Sequence, residues 1–169
     1  MLHSFQETIE IGLACEADVP GIHALMLANV AANGGRLSAS FSPAEILAMQ
    51  QTLPMIVARR EGLVVGFLMA SSREAGGGIP IIRTMLEAYR GAENAYVYGP
   101  ICVDSTLRGR GLAQAMFAEL RRRLPGREGI LFVRQDNEAS LRAHRKMGLR
   151  EVAEFDFRDC VHSVFAYGG

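Results

Sequence analysis

Three cysteines, Cys15, Cys102 and Cys160, lie far apart in 169 residues, odd in number and without a CxxC pair. That scarcity excludes a disulfide framework and a zinc cluster, and the thiols are expected to be small, buried or half-buried groups in a reducing compartment. The longest nearly uninterrupted apolar run, Leu63 to Ala70, falls far short of the roughly 20 residues a membrane helix needs. The opening stretch MLHSFQETIEIG carries acidic residues and lacks a basic region followed by an apolar one. No secretory leader is therefore expected, and the protein reads as cytoplasmic with no membrane partner. No internal repeat occurs, no metal-ligand cluster appears, and both GxxxxGK[ST] and GxGxxG are missing, which removes support for a nucleoside-triphosphate or dinucleotide site.

What is present is a chain of ordinary one-domain length, 49% hydrophobic and 21% charged. It is long enough to bury a core without staples, so residues 1–169 read as a single domain. Apolar runs with β-branched content predict strands near Ile9 to Ala14, Met55 to Arg60, Leu63 to Ser71, Ala95 to Val103, Ile130 to Arg134, Glu151 to Phe157 and Val161 to Tyr167. Helical spacing covers Val19 to Asn29, Pro43 to Gln51, Ile79 to Tyr89, Leu112 to Leu124 and Ala139 to Met147. The order is mixed α/β (α+β), with hairpins at both ends of the sheet and a strand-helix-strand unit between them. Asn33-Gly34-Gly35 and Gly76-Gly77-Gly78 interrupt the pattern as candidate mobile loops. Ile79, Ile82, Leu86 and Tyr89 share one helical face, expected to pack in the core; that helix or an exposed strand is also where a homodimer contact would form.

Net charge is zero, yet Arg108 to Arg150 holds eleven basic residues against four acidic ones, +7, leaving −7 elsewhere. The asymmetry points to an anionic partner on one part of the surface and tolerance of a cationic one on another. Arg121 to Arg123 alone read as a solvated helix face.

The stretch LRGRGLAQAMFAEL, 107 to 120, places two glycines and two arginines before an amphipathic helix whose stripe is Leu112, Met116, Phe117, Leu120 and Leu124. A helix start leaves four backbone amides without partners, normally satisfied by a Ser, Thr, Asp or Asn oxygen. Ser105 and Thr106 come too early, and Arg108 to Gly111 offers no acceptor side chain. Bare amides, the positive end of the helix dipole and neighbouring arginines favour phosphate, while Gly109 and Gly111 let the backbone approach it closely. The alternative is a tight turn capped by water.

Arg108-Gly109-Arg110-Gly111-Leu112-Ala113 resembles the [QR]xxGx[GA] signature of the GNAT N-acetyltransferase superfamily, preceded by the strand ICV that leads into it. The resemblance implies that the amides from Arg108 to Ala113 hold the pyrophosphate of acetyl-coenzyme A, a cosubstrate, and that Ile101, Cys102 and Val103 pair with its pantetheine arm. Downstream, DNEASLRAHRKMGL, 136 to 149, is similar to the second coenzyme A element in the variant found among phosphinothricin-acetyltransferase-like members. Asn137, Ser140 or Leu141, and His144 fall on one helical face, with Asn137 or Asp136 to cap its start and Gly148 to end it. The implied fold is a mixed, mostly antiparallel sheet of about seven strands with flanking helices. The implied activity is acetyl transfer to a primary amine of a small molecule or peptide.

Such transfer asks for a neutral amine, donors aimed at the developing oxyanion, and a way to release the thiol. Gly99-Pro100 inside a strand predicts a bulge, and amides freed near Ile101 would polarise the thioester carbonyl. Many superfamily members carry a tyrosine at the place of His144; this sequence departs from them. A histidine titrating at about 6.5 supplies some imidazolium at neutral pH, so His144 is either the acid that protonates the thiolate or a cofactor contact only. For the base, Tyr96, Tyr98, Asp104, the more distant Glu93 and a water chain remain open; Tyr98 is taken with His144 as the catalytic pair. His23 and His162 read as packed histidines. Two rivals stand beside this reading: a non-catalytic acyl-coenzyme A sensor, and an arginine surface for nucleic acid, the latter disfavoured because the basic segment has no exposed aromatic platform.

Overall fold

The computed structural model describes residues 8–35, 37 and 40–168; the first seven residues, on which the absence of a leader was partly read, lie outside them. Seven strands form one sheet: β1 (Ile9–Leu13), β2 (Ile56–Arg60), β3 (Leu63–Ser72), β4 (Tyr96–Val103), β5 (Gly129–Arg134), β6 (Arg150–Phe157) and β7 (Cys160–Tyr167), in spatial order β1-β2-β3-β4-β5-β7-β6. β1/β2, β2/β3, β5/β7 and β6/β7 are antiparallel, whereas β4/β5 is parallel. Among the described residues six α-helices accompany them: α1 (Val19–Asn29), α2 (Pro43–Thr52), α3 (Arg73–Gly76), α4 (Pro80–Ala88), α5 (Leu112–Arg123) and α6 (Glu138–Lys146). Contacts group the chain into two units, residues 1–69 with 100–123, and residues 70–99 with 124–169.

In the first unit Val19, Ile22 and Met26 of α1 and Ile46 of α2 bury against Val57 of β2, Phe67 and Met69 of β3, and Cys102 of β4. The β2–β3 hairpin turns through Glu61 and Gly62, both at positive φ (52° and 79°), the geometry whose twist matches antiparallel strands. Ser42 begins α2 with a reciprocal cap, its Oγ accepting from the Glu45 amide while its own amide donates to Glu45 Oε1, each at 3.2 Å. α5 packs on β1 and β2. Asp18, buried ahead of α1, accepts two hydrogen bonds from the Arg59 guanidinium and one at 2.8 Å from the Cys15 amide. Cys15 itself is exposed, contrary to the expectation for all three thiols, because it sits in the turn between β1 and α1 rather than on a packed face.

In the second unit Ile81, Ile82 and Met85 of α4 pack with Ala95 and Val97 of β4, Ile130 of β5, Phe155 of β6 and Val164 of β7. The apolar face of α4 is thus used within the unit. It is centred on positions 81, 82 and 85 instead of 79, 82, 86 and 89, since Ile79 is the extended residue that precedes the helix; Ile79, Leu86 and Tyr89 flank the cluster. The Gly76–Gly78 run is not an open loop throughout: Ser72 Oγ accepts from the Ala75 amide at 3.1 Å and starts the single turn of α3, which ends with Gly76 buried. His162 is a packed histidine, stacked on Phe155 with ring centroids 4.9 Å apart.

Gly129 pairs directly with Tyr167 across β5/β7, and a Cβ there would fall 2.2 Å from Tyr167 Cζ. The tyrosine cannot swing aside freely, because it is buried and its hydroxyl is hydrogen-bonded to that of Tyr96. Gly129→Ala is expected to lower unfolding free energy by about 2 kcal/mol through overpacking. Urea denaturation followed by circular dichroism measures it, and an unchanged midpoint would show that the pair relaxes without cost.

Candidate active site

The turn before α5 begins where β4 ends. Asp104 Oδ1 accepts from the Thr106 amide at 2.9 Å and from Thr106 Oγ1 at 2.6 Å, closing a short 3-10 turn over Ser105–Leu107. The chain then runs exposed through Arg108, Gly109, Arg110 and Gly111. Gly109 and Gly111 have φ of 77° and 79°, a region costly for L side chains, and a Cβ on either would meet nothing within 4 Å. Both glycines are therefore fixed by backbone conformation, and the space beside them is open. The first helical bond runs from the Ala115 amide to the Gly111 carbonyl at 3.0 Å. Arg108 to Gly111 carry no acceptor side chain that could cap the amides at this start, which stand at the positive end of α5.

Arg108 does not simply extend beside this turn. Its Nη2 donates to Asn29 Oδ1 at 2.8 Å and its Nε to the Val103 carbonyl at 3.3 Å, tying the turn to the end of α1 and to the end of β4. Asn29 escaped the sequence reading because nothing local marks a partner 79 positions away. Ile101, Cys102 and Val103 close β4 in the same unit as the turn; burial pushes the Cys102 thiol up to about 11, so it stays protonated. Arg121 to Arg123 form the expected solvated face, with Glu119 bridging Arg122 and Arg123 at 2.7 Å.

A second arrangement belongs to the other unit. Asn137 caps α6, its Oδ1 accepting from the Ser140 amide at 3.3 Å, and Gly148 at φ 84° follows the helix end. Leu141 and His144 are buried on the face expected for them. His144 Nδ1 lies 2.7 Å from the Ser140 carbonyl oxygen and 3.2 Å from Ser140 Oγ. A carbonyl only accepts, so Nδ1 carries the proton and Nε2 is left with its lone pair. Nε2 is buried and has no hydrogen-bond partner among the described residues. The Tyr98 ring stands nearly perpendicular to that of His144, centroids 5.8 Å apart, and Phe165 stacks on His144 at 6.4 Å. Sequence reasoning therefore named a pair that the fold does bring together.

The charge states differ from those expected. Burial lowers the His144 pKa below its ordinary value, with the Ser140 hydrogen bond opposing only in part, which favours neutral imidazole over the freely titrating ring expected from the sequence. Burial raises the Tyr98 phenol far above its usual range, which removes it as a base at neutral pH. Asp104 is held below the usual carboxylate value by its hydrogen bonds to Thr106, and Tyr96 is engaged with Tyr167. Gly99 has φ 106° inside β4, the irregularity expected beside Pro100. Among the described residues no group of three or more His, Cys, Asp or Glu is placed to hold a metal, and no helix is long and apolar enough to cross a membrane.

No curated protein sequence matches the chain. Many solved structures share its fold. The Salmonella typhimurium protein yncA, solved with its cofactor acetyl-CoA, aligns at TM-score 0.68 with 17% identity over 95% of this chain and 94% of the other. The ribosomal-protein-S18-alanine N-acetyltransferase of Escherichia coli aligns at 0.66 with 14% identity over 95% and 94%. The ribosomal-protein-alanine N-acetyltransferase of Brucella melitensis aligns at 0.65 with 22% identity over 94% and 99%. The sheet order, the glycine turn opening α5 and the α6 element thus sit in a GNAT fold. The acetyltransferase (GNAT) family profile covers residues 27–149, most of the chain, and the protein belongs to that family.

Proposed function

We propose that residues 1–169 act as one catalytic domain that moves the acetyl group of acetyl-coenzyme A to the primary amine of a small molecule or peptide. The observation that carries this reading is the turn at 108–113: a helix start whose leading residues have no acceptor side chain, two left-handed glycines and open space beside both. The main chain from Arg108 to Ala113 binds the diphosphate. Ile101, Cys102 and Val103 hold the pantetheine arm by backbone pairing, and an amide near Ile101 polarises the thioester carbonyl. Asn137, Ser140 and His144 supply the second cofactor element on α6, with Tyr98 as the wall that fixes the His144 ring. When bound, acetyl-coenzyme A supplies an activated acetyl thioester. The −7 carried outside Arg108 to Arg150 supports a cationic amine as acceptor.

Calorimetry with acetyl-coenzyme A, followed by thiol release against amines, amino acids, polyamines and peptide N-termini, tests the reading. Saturable heat and release with at least one acceptor class are expected. Absence of heat overturns the cofactor assignment, and binding without release from any amine makes the protein a sensor.

A further inference from the structure

Resting on the acetyl-coenzyme A reading, we infer that His144 works from its neutral state, with Nε2 as the atom that accepts the proton of the attacking amine and then passes it to the departing sulfur. The geometry of unit two points to this. The Ser140 carbonyl at 2.7 Å from Nδ1 fixes the tautomer, and a buried ring nitrogen left with a lone pair and no protein donor is the one feature of the ring that a ligand can satisfy. A donor role from the resting state is closed to Nε2, because it carries no hydrogen.

The proton count balances without any further reactant. As the amine nitrogen forms its bond to the acetyl carbon, its surplus proton moves to Nε2, making imidazolium with both nitrogens protonated. As the carbon–sulfur bond breaks, Nε2 returns that proton to sulfur. The products are amide and free thiol, and the ring ends as it began. Holding the ring matters as much as its charge, and the Tyr98 and Phe165 rings both pack against it.

Few charges face this group. Tyr98 from β4, Phe165 from β7 and Ser140 of its own helix surround it. The cations of α6, Arg142, Arg145 and Lys146, are exposed, and Arg145 is paired with Glu151 of β6 at 3.2 Å. β5, also packed against α6, ends in Arg134, which is paired with Asp136. Desolvation therefore dominates and pushes the protonation of His144 below the ordinary histidine range.

Two measurements decide the inference. Long-range proton–nitrogen NMR on the free protein is expected to show Nδ1 protonated and Nε2 unprotonated at pH 7. Kinetically, log kcat/KM against pH is expected to rise with slope two at the acid end, one for the amine and one for His144, and with slope one in His144→Gln. That variant keeps an acceptor oxygen but cannot take a proton, so kcat is expected to fall about 10²-fold, with the melting temperature retained. A protonated Nε2 at pH 7, or full turnover in His144→Gln, overturns the inference while the cofactor reading stands. Absence of acetyl-coenzyme A heat in the unaltered protein overturns both.

Discussion

Replacing both Gly109 and Gly111 with valine is expected to weaken acetyl-coenzyme A binding about 10³-fold while leaving the melting temperature nearly unchanged. Each glycine holds a left-handed φ, where a β-branched residue costs about 2 kcal/mol. Two such costs amount to about 4 kcal/mol, and each 1.4 kcal/mol is a factor of ten in affinity. The loss falls on binding because the turn is exposed and a Cβ there meets no protein atom. The chain escapes the strain by leaving the ligand-holding conformation without unfolding its surroundings. Calorimetry and differential scanning on the same variant separate the two effects, and undiminished affinity would remove the diphosphate from this turn.

Asp18→Asn is expected to cost about 3 kcal/mol of unfolding free energy, the low end for breaking a buried pair whose remaining member is left charged. Asp18 is 6% exposed and the Arg59 side chain 21%, so the guanidinium loses its counterion where little water can replace it. Acid makes the same change in the unaltered protein. Burial on its own would raise the Asp18 carboxyl, but the hydrogen bonds from Arg59 and Cys15 and the Arg59 charge outweigh it and hold the pKa below the ordinary value. A depressed folded pKa gives stability that is complete above the unfolded value of about 4 and is lost as pH falls through the folded one. The urea midpoint of the unaltered protein should therefore drop more steeply below about pH 4 than that of Asp18→Asn. Parallel curves would show that another carboxylate governs acid unfolding.

Strand and helix positions were legible because their signals are local: apolar runs with β-branched content mark β2, β3 and β7, and the 112–124 stripe marks α5. The glycine turn was legible for the same reason, since the missing cap is a statement about six consecutive residues. α3 was lost because three glycines outweigh one Ser72 cap in any reading of composition, and the α4 face was rotated by counting from Ile79, which proved to stand outside the helix. The His144 charge state lay beyond reach for a different reason. It depends on rings contributed by β4 and β7 and on a carbonyl of its own helix, and a sequence gives neither the depth of a side chain nor the direction of its nitrogens.

Arg108 is held by two neutral oxygens, an amide side chain and a main-chain carbonyl. Neutral anchors restrain a cation without cancelling it. The positive potential over the turn thus survives the immobilisation of its source, and an incoming polyanion meets a charge whose rotational freedom has already been surrendered. Residue 29, remote in sequence from every glycine in the turn, restrains that guanidinium without adding a counter-charge of its own.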